Sequence, residues 1–175
     1  MPLNDGLSFV SDCLNGFDIK KHIKIIASGK IITGFNIIRN VALGADMVNS
    51  ARAMMLALGC IQALECNKNT CPTGVATQDP DLVKGLVVND KYLRVATYHN
   101  KTVDSVIDLL SATGHSSMEA LNRYDINRRV SHTEVKRFDE IYPIVESGSF
   151  INGKIPGSLA QAYNLADENS FIPSL

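Results

Sequence analysis

The sequence is short of everything that marks an extreme class. It has almost no excess of one charge: 17 Lys and Arg stand against 18 Asp and Glu. That excludes a basic footprint for nucleic acid and a polyanion-seeking surface. Four cysteines in 175 residues are too few for a secreted disulfide scaffold. The longest apolar run, around 53–58, is far short of the roughly 20 residues that cross a bilayer. The opening MPLNDGLSF lacks the basic start and long apolar stretch of a signal peptide. No internal repeat or low-complexity segment occurs. At 45% hydrophobic and 20% charged residues, the chain reads as a globular protein of the reducing cytoplasm. Cysteines there serve as metal ligands, catalysts or core residues more often than as disulfides.

Periodicity gives an outline. Leu7, Val10, Leu14 and Phe17 recur at helical spacing, so a helix is expected over 4–15. KIIAS, ending at Ser28, is short and rich in isoleucine and reads as a buried strand. Thr33 caps a helix expected over 34–43, which Gly44 ends. A second strand follows within 45–50, completing a strand–helix–strand unit with a parallel pair. Residues 51–64, rich in Ala, Met and Leu, read as a buried helix. A loop region over 66–90 precedes a helix over 91–112, with Leu93, Val103, Val106, Ile107 and Leu110 inward. Ser117 is a candidate cap for a short helix over 118–122. Ser131 and Glu134 have capping-box spacing for a helix over 133–141. After residue 145 the pattern decays into a polar tail punctuated by Gly148, Gly153, Pro156, Gly157 and Pro173. The division expected is therefore a main body over 1–145 and a tail over 146–175.

Two features carry chemistry. Cys60, Cys66 and Cys71 are spaced C-x5-C-x4-C across a helix-to-loop transition. Three thiolates suit a soft metal centre. They fit a three-iron cluster, or a zinc or cubane site with a foreign fourth ligand. Unrelated core cysteines are the alternative, but the polar Asn67, Lys68, Asn69 and Thr70 make the intervening stretch a loop. Cys13 lies far off on the first helix and reads as an apolar residue. The second feature is a pair of strand-end loops, Ser28-Gly29-Lys30 and Ser50-Ala51-Arg52, the latter running into a helix. Backbone amides at a helix start, small residues and two cations suit an anion such as a phosphate.

The block from Ile26 to Pro80, and above all ALGC-x5-C-x4-C-x-TGVATQ, resembles the FMN-binding, iron–sulfur synthase domain of the glutamate synthase family. It looks closest to the short bacterial FMN-binding glutamate synthase-like proteins. The resemblance implies the C-terminal portion of a (β/α)8 TIM barrel, with KIIAS and DMVNS as its last two strands. It implies that Cys60, Cys66 and Cys71 hold a [3Fe-4S] cluster, and that Ser28, Gly29, Lys30, Ala51 and Arg52 hold the FMN phosphate. The implied reaction forms glutamate from 2-oxoglutarate and glutamine-derived ammonia, with an electron donor feeding cluster and flavin. The loops differ from the large glutamate synthases, which have a Gly-rich first loop and Gly-Thr-Gly in the second. A whole barrel needs about 200 residues or more. The chain is therefore expected to be part of a longer protein or one half of a split barrel, inactive alone. An iron–sulfur electron-transfer module or an inactive truncated remnant is the alternative.

Overall fold

A computed structural model describes residues 1–172. Pro173 and the last two residues of the expected tail lie outside them. The architecture is mixed helix and strand, with few strands.

Helix α1 spans Leu3–Gly16. Strand β1, Ile26–Ser28, pairs in parallel with β2, Met47–Asn49, across helix α2, Gly34–Ala42. The register aligns Ile26 with Met47, Ala27 with Val48 and Ser28 with Asn49. Both strands of this pair are therefore where the sequence places them. The start of α2 is fixed locally: the Thr33 hydroxyl accepts the Asn36 N–H at 3.2 Å, and the Asn36 carboxamide accepts the Thr33 N–H at 3.2 Å. The alternation along the strands separates two faces. Ala27 is buried against the helices, whereas Ile26 and Met47 are half exposed on the other face.

Helix α3 spans Ala51–Leu58, six residues shorter than its sequence suggests. Gly59 adopts φ +104, and the Gly59 and Cys60 amides donate back to the Leu56 and Met55 carbonyls. That left-handed turn stops the helix before Ile61 and Leu64, which stay exposed. Only Ala53 of α3 is fully buried, so the helix is not the submerged one its composition suggests.

A short helix α4, Pro80–Val83, leads to α5, Val88–Thr113, which lies across α2 and α3. Val106 and Leu110 reach the core as expected. Leu93, Val103 and Ile107 do not: they are 53%, 42% and 56% exposed, because α5 is covered along one side only. Gly114 ends α5 with φ +80. Ser117 makes no side-chain cap to the turn at Met118–Ala120.

The region 127–141 departs most from expectation. It forms an antiparallel hairpin, β3 (Asn127–Arg129) with β4 (Val135–Arg137), and then a single helical turn, α6 (Phe138–Ile141). The spacing of Ser131 and Glu134 serves a turn: the Glu134 carbonyl accepts the Val130 and Ser131 amides. Phe138 then enters the core beside Ile126 and Leu121. Helix α7, Gly157–Leu165, gives the tail a regular element. Phe150 is buried, with its ring 5.3 Å from that of Phe17 on the end of α1 and 5.8 Å from that of Tyr163 on α7.

Across the body, Asp12 of α1 and Arg123 form a buried bidentate pair at 2.7 and 3.2 Å. The same guanidinium donates to the Tyr142 and Pro143 carbonyls at 2.8 Å. No helix among the described residues is long and apolar enough to cross a membrane.

Candidate cofactor site

Parallel pairing sends β1 and β2 out of the sheet at the same end, so the two strand-end loops are neighbours. Ser50 joins them: its hydroxyl donates to the Ile31 carbonyl at 2.7 Å. Lys30 sits at φ +52, a left-handed conformation that turns the chain sharply after Gly29. Ser28, Gly29, Lys30, Ala51 and Arg52 are all exposed at this end. Ala51 and Arg52 form the first turn of α3, whose leading amides have no partner within the helix. Neither Lys30 nor Arg52 has an ion-pair partner among the described residues. The donors and charges present fit a phosphate.

The cysteine segment begins where α3 stops. Cys60 is half-buried, and its sulfur accepts the Gln62 N–H at 3.4 Å. Cys66 is exposed in the following turn. Cys71 is buried, with Sγ 3.5 Å from the Thr73 hydroxyl. Its thiol is pulled down from 9.0 to about 7, chiefly by the Thr73 hydroxyl, then by the backbone N–H groups of Ala76 and Thr73; burial opposes them. N–H and O–H donors around a sulfur favour its thiolate form, the form that ligates iron. Cys13 is the opposite case. Burial, and then the neighbouring Asp12, push its thiol up, which suits a protonated packing residue.

The loop that supplies those donors is braced from inside. The Asn69 carboxamide accepts the Gln78 N–H at 2.6 Å, and the Asn69 carbonyl accepts the Thr77 hydroxyl at 2.6 Å. Gly74 takes φ +74 where α4 comes close: a Cβ there would lie 3.1 Å from the Val83 carbonyl and 3.0 Å from the Leu86 amide. Only glycine meets both demands, and the turn it permits aims the next amides at Cys71. Asn69, Thr73, Gly74 and Thr77 thus support Cys71, a role that cysteine spacing does not reveal. The signal was the TGVATQ flank itself. Among the described residues no three His, Cys, Asp or Glu side chains are gathered as a site for a metal ion. Cys60, Cys66 and Cys71 are therefore not brought together as one ligand set in this structure; Cys60 and Cys71 have in common only a sulfur that accepts backbone amides.

Comparison with known proteins decides the family. The family model described as a conserved region in glutamate synthase matches residues 1–116. The chain belongs to the glutamate synthase family. Its match to the glutamate synthase large subunit-like protein YerD of Bacillus subtilis is 44% identical over 117 residues, 67% of this chain and 22% of that protein. The archaeal NADPH glutamate synthase of Methanocaldococcus jannaschii is 36% identical over 121 residues, 69% of this chain and 24% of that protein. The large chain of the NADPH glutamate synthase of Azospirillum brasilense is 30% identical over 133 residues, 75% of this chain and 9% of that protein. This glutamate synthase family chain therefore spans less than a quarter of the length of these relatives.

Proposed function

We propose that this chain is the cofactor-bearing end of a glutamate-synthase-type oxidoreductase, making glutamate from 2-oxoglutarate and glutamine-derived ammonia in the cytoplasm. In this reading β1 and β2 are the last two strands of a (β/α)8 barrel. Ser28, Gly29, Lys30, Ala51 and Arg52 hold the FMN phosphate, and Cys60, Cys66 and Cys71 hold a [3Fe-4S] cluster. When bound, the flavin supplies hydride chemistry and the cluster supplies single electrons. The chain's own residues bind and orient. Lys30 and Arg52 add charge beside the free amides of α3, and the 69–78 loop presents donors to Cys71. The observation that carries the reading is the match to the conserved region in glutamate synthase over residues 1–116, within which this cysteine motif falls.

The remaining barrel strands, the electron donor and the ammonia source come from outside this segment. Hydride transfer needs the flavin ring and the keto acid at near-attack distance. Two phosphate loops grip only one end of FMN, so the 175-residue chain alone is expected to make no glutamate from glutamine. Adding the upstream strands, as a fusion or a second chain, is expected to restore stoichiometric FMN binding. Robust glutamate synthesis by the chain alone would overturn this account.

The cluster is tested first by anaerobic reconstitution with iron and sulfide. A broad visible absorption is expected. It should be abolished by Cys60→Ser, Cys66→Ser or Cys71→Ser and kept by Cys13→Ser. Loss with Cys13→Ser instead would mean a different ligand set.

A further inference from the structure

We infer that Tyr98 of α5, acting with Ser50, is a positioning residue for the flavin phosphate: the two hydroxyls latch the loop after β1 by consecutive carbonyls and keep the turn at Gly29 and Lys30 formed. The inference rests on the phosphate reading above and does not involve the cysteines.

The turn is not one that the chain holds by itself. Gly29 takes φ +151 and Lys30 φ +52, and a residue with a Cβ is strained in the left-handed region. Such a turn persists only where its surroundings fix it. Here the two residues that follow it are fixed from three directions. The Ile31 carbonyl accepts the Ser50 hydroxyl at 2.7 Å. The Ile32 carbonyl accepts the Tyr98 hydroxyl. The Asn36 carboxamide accepts the Ile32 and Thr33 N–H groups at 3.1 and 3.2 Å. Ile31 itself is buried in the core. Asn36 is local to the loop and Ser50 belongs to the neighbouring strand end, but Tyr98 reaches Ile32 from 66 residues away.

The fold delivers Tyr98 to that carbonyl. Helix α5 lies across α2 and α3, and Tyr98, Thr102 and Ser105 share one of its faces. At Gly34, the first residue of α2, a Cβ would stand 2.7 Å from Ser105 Oγ and 3.0 Å from the Val106 nitrogen. That close approach seats α5 on the start of α2, and about two turns earlier the same face meets Ile32. Ile32, Ala53 and Tyr98 line one cleft between α3 and α5, so the latch also borders the first turn of α3. Removing either hydroxyl frees a carbonyl and lets the strained turn relax. An arriving anion must then reorder the turn, which weakens its binding. A brace that only holds α5 on α2 is the competing explanation, and it would change stability without changing anion affinity.

The test titrates the isotope-labelled full chain with inorganic phosphate, FMN and riboflavin at constant ionic strength, following the Gly29, Lys30, Ala51 and Arg52 amides by NMR. Phosphate and FMN should shift them saturably, and riboflavin, which lacks the phosphate, should not. Tyr98→Phe keeps the ring and removes the hydroxyl; it should raise the phosphate Kd by about threefold to tenfold, and Ser50→Ala should do the same. Thermal unfolding supplies the structural readout. A lowered Tm with an unchanged phosphate Kd would overturn the inference and leave the phosphate reading standing. No saturable shift in the unsubstituted chain, or the same shifts from riboflavin, would overturn both. Shifts with phosphate but not with FMN would mark an adventitious ion only and overturn both as well. If Tyr98→Phe fails to fold, amide exchange in the unsubstituted chain decides. Saturating phosphate should slow exchange of the Ile32 and Thr33 N–H groups by about threefold or more, because an anion that needs the latched loop must favour it in return. No slowing would overturn the inference.

Discussion

Ile26 and Met47 are direct partners in the parallel register, and each keeps about half its surface in water, 53% and 50%. An apolar pair on one face of a two-stranded sheet invites association. The isolated chain is expected to self-associate at micromolar concentration. Ile26→Lys with Met47→Lys should return it to a monomer by light scattering, and should also abolish complementation by upstream strands. A monomeric parent would refute this.

Arg123 is 5% exposed and ties Asp12, Tyr142 and Pro143 together. Arg123→Met leaves the Asp12 carboxylate buried without its cation and should cost about 3–5 kcal/mol in urea unfolding near neutral pH. Burial already holds the Asp12 carboxyl above its ordinary 3.8, against the opposing pull of Arg123. Removing the guanidinium raises it further. Any stability gained by protonating Asp12 is present below 3.8 and fades as pH rises through the folded value. The deficit of the variant should therefore be smaller at pH 4 than at pH 7.

Asp46 works in the opposite sense. Burial pushes its carboxyl up, but the Lys20 ammonium at 2.6 Å, the Ile25 N–H at 2.8 Å and Lys24 at 3.2 Å together hold it at about 2. Its contribution is present above 3.8 and lost as pH falls toward 2. Asp46→Asn should flatten the acid limb of stability between pH 4 and pH 2, measured by circular dichroism.

In the cluster-free chain, Cys71 should react with iodoacetamide with an inflection near pH 7. Thr73→Val should move that inflection toward 9, because the largest stabilising donor is gone. Cys13 should titrate above 9. Peptide mapping of the labelled chain distinguishes the sites.

A Cβ on Gly16 would stand 2.5 Å from the Phe150 ring. Gly16→Ala should therefore cost about 1–3 kcal/mol by overpacking. Adding Phe150→Leu should recover part of that loss. Full additivity of the two changes would show that the tail does not dock on α1 in solution.

The sequence by itself determined the elements whose signals are local. Thr33 and Asn36 satisfy the start of α2 within four residues, and Gly114 ends α5 through its own backbone freedom. The strand–helix–strand unit and its parallel pairing follow from short range and handedness, and the two strand-end loops come together with them. Tertiary structure decided the rest. Ser131 and Glu134 have a spacing that serves a helix cap or a turn equally well, and the hairpin prevailed as Ile126 and Phe138 both entered the core. The end of α3 depended on one left-handed glycine inside a run that composition alone would continue. The apolar residues of α5 could not be sorted into inward and outward by periodicity, because only α2 and α3 define which side is covered. Cysteine spacing named three sulfurs, but the donors around Cys71 come from the folded 69–78 loop, whose geometry depends on contacts with α4. Local capping and turn preferences act within a few bonds and can be read along the chain. Burial and screening depend on which distant residues close over a site, and that is known only once the chain has folded.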